Sequence, residues 1–83
     1  MKVTVKYFAS IRETIGASSE VVTTTALTLA ALRDQLIAQG GAHAESLARG
    51  KAVRLALNQV MCDESVTLVE GAEVAFFPPV TGG

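Results

Sequence analysis

Hydrophobic and polar positions alternate strictly at the start of the chain. Over residues 2–8, Val3, Val5 and Tyr7 fall on one side and Thr4, Lys6 and Phe8 on the other, the period-two pattern of a strand with one face buried. Phe8 lands on the more polar side. From residue 9 the pattern changes: Ile11 and Ile15 stand at i,i+4, Ser10 offers an N-cap and Gly16 a stop, which predicts a short helix with Arg12 and Glu13 facing outward. Residues 19–25, rich in Val and Thr, predict a strand that pairs with the first and lies at an edge. After Thr28 as N-cap, Leu29, Leu32, Leu36 and Ile37 form one apolar stripe that ends at Gly40-Gly41; this is the main helix. Residues 42–50 read as a connection with a possible helical turn, in which His43, Glu45 and Arg49 stand in a small, polar context and His43 is solvated. Val53, Leu55 and Leu57 then alternate with Arg54, Ala56 and Asn58, and Asn58-Gln59 is a turn signal before Val60, Met61 and Cys62, so a tight hairpin is expected. An irregular stretch anchored by Val66, Leu68 and Val69 leads to a Glu70-Gly71 turn. In the final strand, residues 73–77, Val74 and Phe76 share one face and Ala75 and Phe77 the other. Pro78 ends it, having no N–H to donate.

One main helix and one mixed sheet pack economically as two α+β layers, with the helix across one face. No linker or repeat divides the chain, so residues 1–83 are expected to form a single domain with residues 78–83 as an extended tail. In the ubiquitin-like β-grasp arrangement of such elements, the first and last strands lie side by side in the centre of the sheet. Val3, Val5, Val74 and Phe76 then belong to the core.

A chain of 83 residues buries only about 60–65% of the surface its unfolded form exposes. Its hydrophobic fraction of 49% is high for that size, which makes a partner surface worth seeking. Seven Lys+Arg against eight Asp+Glu, with no basic run, argue against nucleic acid. No apolar stretch approaches the roughly 20 residues that span a bilayer, and the start lacks the apolar stretch of a signal peptide; a cytoplasmic protein with no membrane partner is expected. Cys62 and His43, one of each, are too sparse for a zinc site, so no metal is expected. Cys62 has no cationic neighbour to activate it and reads as structural.

The remaining candidate chemistry lies in the tail: Pro78, Pro79, Val80, Thr81, Gly82 and Gly83. Two prolines favour extended backbone, and two glycines make a thin, flexible tip that can thread a narrow cleft. Six extended residues reach at most about 20 Å. A frayed terminus is the other reading of the same residues. Strand parity adds a body surface, because Phe8 and Phe77 project away from the helix and Met61 can join them from the hairpin. Ordering four tail residues costs about 1–2 kcal/mol each, roughly 4–8 in all. Burial of the three side chains against a partner returns about 1.5–3 kcal/mol each, or roughly 4.5–9. Arg12 is a further candidate contact.

Tyr7-Phe8-Ala9 with Arg12-Glu13 and Gly16 at the front, and GAEVAFFPPVTGG over residues 71–83 at the back, give the chain a resemblance to the ubiquitin-like sulfur carriers that serve as small subunits of molybdopterin synthase. The resemblance spans essentially the whole chain. It implies a cycle at Gly83: a ubiquitin-activating-like adenylyltransferase uses ATP and magnesium to adenylate the carboxylate, and a sulfur donor protein converts it to a thiocarboxylate. The large synthase subunit then admits the tail, and sulfur passes to cyclic pyranopterin monophosphate, two turnovers making the dithiolene of molybdopterin. It also implies a heterotetramer of two small and two large subunits. The chain itself holds no cofactor under this reading, nucleotide being bound by the partner. It carries no catalytic acid, base or oxyanion donor and is expected to catalyse nothing alone. A carrier for thiazole synthesis, a ubiquitin-like modifier of lysines and a β-grasp interaction module without chemistry at the terminus are the competing readings.

Overall fold

The computed structural model describes residues 1–79. Its strands are β1 (Lys2–Tyr7), β2 (Ser19–Thr23), β3 (Arg54–Leu57), β4 (Val60–Cys62) and β5 (Glu73–Phe77), and its helices α1 (Ala9–Ile15), α2 (Leu29–Ala38) and α3 (Gly41–Leu47). One sheet has the order β2-β1-β5-β3-β4. β1 and β5 run parallel at its centre, and the remaining neighbours are antiparallel. This is the ubiquitin-like β-grasp expected, with β2 at one edge.

Alternation in the sequence became burial. Val3, Val5, Tyr7, Leu55, Val74 and Phe76 line the inner face, where they share one core with Ile11 of α1, Leu29, Leu32 and Leu36 of α2 and Leu47 of α3. Thr28 caps α2 as predicted, its hydroxyl accepting from the Ala31 N–H at 3.2 Å. Asn58 and Gln59, with φ of 49° and 69°, make the two-residue turn whose twist suits a hairpin.

Four local expectations are corrected. Ser10 does not cap α1; the cap position is Phe8, two residues earlier, and no side chain caps the helix. The edge strand ends at Thr23 rather than at residue 25. Gly40-Gly41 does not simply stop a helix: with φ of 76° and 55°, backbone open to glycine and costly for other residues, the pair reverses the chain directly into α3. The supposed connection is thus a third helix, recruited by Leu47, which is fully buried. Val69 anchors nothing and is 54% exposed, whereas Leu68 beside it is buried.

Candidate functional site

The outer face of the sheet can be read from register. Phe8 follows the pair Tyr7↔Phe76, and Arg54 pairs with Phe77, so Phe8, Phe77 and Arg54 form one row across three strands. The next row is Lys6, Ala75, Ala56 and Met61. Phe8 and Phe77 meet edge to face, their centroids 5.9 Å apart. Phe8 stays 42% and Met61 52% exposed; Phe77 is half-buried. Ala75 and Ala56 lie low between these larger neighbours and leave a shallow apolar floor. The expected trio of Phe8, Phe77 and Met61 therefore shares one surface, bounded by an ion pair between Lys6 and Glu73 at 3.2 Å.

Ala9 aims the first of these rings. Its φ of 51°, unusual for a residue with a side chain, turns the chain sharply from β1 into α1, while the Phe8 N–H donates to the Phe76 carbonyl at 3.1 Å. Arg12 follows one turn later, exposed, and its side chain makes no hydrogen bond among the described residues. The tail leaves beside this face. Pro78 is half-buried and Pro79 exposed, and Pro78 borders a notch of about 160 Å³ lined also by Ser10, Thr14, Ser46 and Lys51. Val80, Thr81, Gly82 and Gly83 lie outside the described residues.

Two readings of single residues change. His43 is not solvated: its Nε2 lies 2.8 Å from Glu20 Oε2, its side chain is 18% exposed, and its ring meets Tyr7 edge-on. The same Glu20 oxygen accepts from the Tyr7 hydroxyl at 2.7 Å. Burial, then the Glu20 hydrogen bond and charge, raise the Tyr7 phenol far above its ordinary value. For Glu20, burial pushes the carboxyl up, but the hydrogen bonds from His43 and Tyr7 and the nearby imidazole outweigh it and leave the group below its usual range. Arg49, read only as part of a small, polar connection, joins Asp34 and Glu64. Cys62 is half-buried, and burial together with neighbouring Asp63 raises its thiol pKa, the opposite of what a reactive cysteine needs.

Sequence reading also missed Arg33, which sits in the apolar stripe of α2 yet is only 4% exposed. Its guanidinium donates to the carbonyls of Leu47, Ala48 and Lys51 and to Glu64, so it clamps the end of α3 to the approach of β3. No periodicity signals this; only the unpaired carbonyls of a chain reversal could have called for such a donor.

On the outer face the arrangement offers adhesion rather than reaction. Among the described residues no group of three His, Cys, Asp or Glu side chains could hold a metal, and no helix is long and apolar enough to cross a membrane. Because Phe8 and Phe77 already shield one another, about two-fifths of Phe8, less of Phe77 and about half of Met61 remain to be covered. Docking then returns about 2–4 kcal/mol, not the roughly 4.5–9 expected from full burial.

The profile of the ThiS family matches residues 5–83. A molybdopterin synthase sulfur carrier subunit from Escherichia coli (strain K12) is 42% identical over 79 residues, covering 95% of this chain and 96% of that protein. Among solved structures, a protein-protein complex of subunits 1 and 2 of molybdopterin-converting factor from Helicobacter pylori 26695 contains a chain that matches with a TM-score of 0.70 at 27% identity, each chain covered completely. SAMP1 from Haloferax volcanii matches with a TM-score of 0.73, also at 27% identity and complete coverage.

Proposed function

The chain belongs to the ThiS family, and from that premise we propose that it is the sulfur carrier subunit of a molybdopterin synthase. The observation that carries this reading is 42% identity to a protein of that name over nearly the full length of both. An apolar face beside the root of the tail supports it, as does the assembly of a structural relative with a second subunit.

Gly83 is the reacting residue in this proposal. Its carboxylate attacks the α-phosphorus of ATP on the activating enzyme; pyrophosphate leaves, magnesium steadying the phosphates, and an acyl adenylate forms. A sulfide-level nucleophile from the sulfur donor attacks the acyl carbon and expels AMP, leaving a thiocarboxylate. The carrier then docks on the large subunit through Phe8, Phe77 and Met61, with Arg12 at the rim. Pro78 and Pro79 direct Val80, Thr81, Gly82 and Gly83 into the active site. Glycine at the tip lets two different catalytic sites close on bare backbone. Sulfur passes to cyclic pyranopterin monophosphate, two carriers serving each dithiolene, in an assembly of two small and two large subunits.

Deletion of Gly83 tests this directly. The shortened chain keeps its thermal midpoint and its affinity for the large subunit within about threefold, while sulfur transfer by the reconstituted synthase is lost; retained transfer overturns the proposal. Likeness to SAMP1, a small archaeal modifier protein, favours a second reading in which Gly83 is joined to lysines. Lysine conjugates of the chain, detected by mass spectrometry of cell extracts, would support that reading instead.

A further inference from the structure

Building on the carrier reading, we infer that Arg54 is a specificity-determining residue of the docking face and receives a carboxylate side chain of the large synthase subunit. Its place in β3 puts it in register beside Phe77, at the end of the aromatic row where the tail departs. It is exposed and, among the described residues, takes part in no ion pair. The charges around it are otherwise engaged. Lys6 is held by Glu73, and Glu64 by Arg33 and Arg49; Asp63 accepts from the backbone and hydroxyl of Ser65.

Shape narrows the occupant. Arg54 and Met61 border an open notch of about 520 Å³ lined also by Val53, Leu55, Cys62, Arg33, Asp63 and Glu64. Arg33, Asp63 and Glu64 are engaged within the chain, which leaves Arg54 as the guanidinium of this rim without an ion pair among the described residues. A partner side chain that fills the notch must be apolar along its stem and anionic at its tip, which describes a glutamate or aspartate on a protein surface. A nucleic-acid phosphate is disfavoured, because Arg54 stands beside the carboxylates of Asp63 and Glu64 and no run of cations extends from it to track a polyanion among the described residues. A guanidinium at the rim of an apolar contact contributes mainly to partner choice and to the salt dependence of association, and its planar fork holds a carboxylate more tightly than an ammonium does.

The test compares full-length native, R54A, R54K and R54E carriers for binding to the purified large subunit, by calorimetry at low and high salt. Expected are about tenfold weaker binding for R54A at low salt, a larger loss for R54E and an intermediate value for R54K. The gap between native and R54A should narrow as salt rises, with thermal midpoints unchanged. Binding by R54A and R54E within twofold of native at low salt overturns the role of Arg54 and leaves the carrier reading standing. A native chain that does not bind the large subunit overturns the carrier reading and this inference together.

Discussion

At the scale of single residues, the contact that most alters the picture is Glu20 held between Tyr7 and His43. It links β1, β2 and α3 on the helix side of the sheet, and it sets how stability responds to pH. Glu20 titrates below its ordinary range when folded. As pH falls, the unfolded chain takes up this proton first, and the stabilisation is lost as pH drops from the usual glutamate value through the lower folded one. Tyr7 is raised, so the folded chain keeps its proton longer, and that stabilisation is lost as pH rises above the ordinary phenol value. Urea midpoints measured across pH should show both limbs. Glu20→Gln should make both limbs shallower, leaving on the alkaline side the larger share due to burial of Tyr7 and on the acid side the share due to Asp63, which hydrogen bonds from Ser65 also lower. His43→Ala should cost about 1–2 kcal/mol at neutral pH by urea denaturation, through lost packing on Tyr7 and an unmade hydrogen bond. None of this was legible in the sequence. Glu20 and His43 are 23 positions apart, and α3, which brings them together, is made of small residues that show no apolar stripe.

Elements were the most legible scale. Period-two alternation located β1, β3 and β5 to within a residue, since each has one face sealed by the core, and parity then assigned Phe8, Phe77 and Met61 to the outer face. The stripe of α2 was equally plain. What failed were the places where backbone geometry, not hydrophobic period, decides: the start of α1 at Ala9, and the reversal at Gly40-Gly41. The β3–β4 hairpin permits a direct test of turn chemistry. Gln59 carries a φ of 69°, a conformation that costs a residue with a side chain about 1–2 kcal/mol. Gln59→Gly creates the favoured Asn-Gly turn, and even after the extra entropy glycine loses on folding it should raise stability by about 0.5–1 kcal/mol in thermal or urea unfolding. The docking face is untouched by this change, so binding to the large subunit should stay within twofold.

Across the whole molecule, a single apolar core contains side chains from β1, β2, β3, β5 and all three helices, which leaves no part able to unfold by itself at small cost. Unfolding should be two-state. Tyr7 is the one tyrosine in a chain without tryptophan and lies at the centre of that core, so its fluorescence reports global packing. Urea transitions followed by Tyr7 fluorescence and by far-ultraviolet circular dichroism should coincide within about 0.2 M; separated midpoints would indicate that α3 or the β3–β4 hairpin melts independently. The β-grasp itself was legible because its core positions are spread over the whole chain. The place of Arg54 beside Phe77 was not, because an exposed arginine acquires meaning only from its neighbours in register.

The parallel pairing of β1 with β5, from Thr4↔Glu73 to Tyr7↔Phe76, has a mechanical side. Two strands that run the same way and lead to opposite ends of the chain send their ends out on opposite sides of the sheet. Tension between Lys2 and Pro79 is therefore carried as shear along the central ladder. Its hydrogen bonds must yield together instead of opening one after another like a zip. A pull applied at Pro79 while the body is held therefore acts along the stiffest direction of the molecule, and the sheet keeps its shape under a load that would peel an antiparallel hairpin apart.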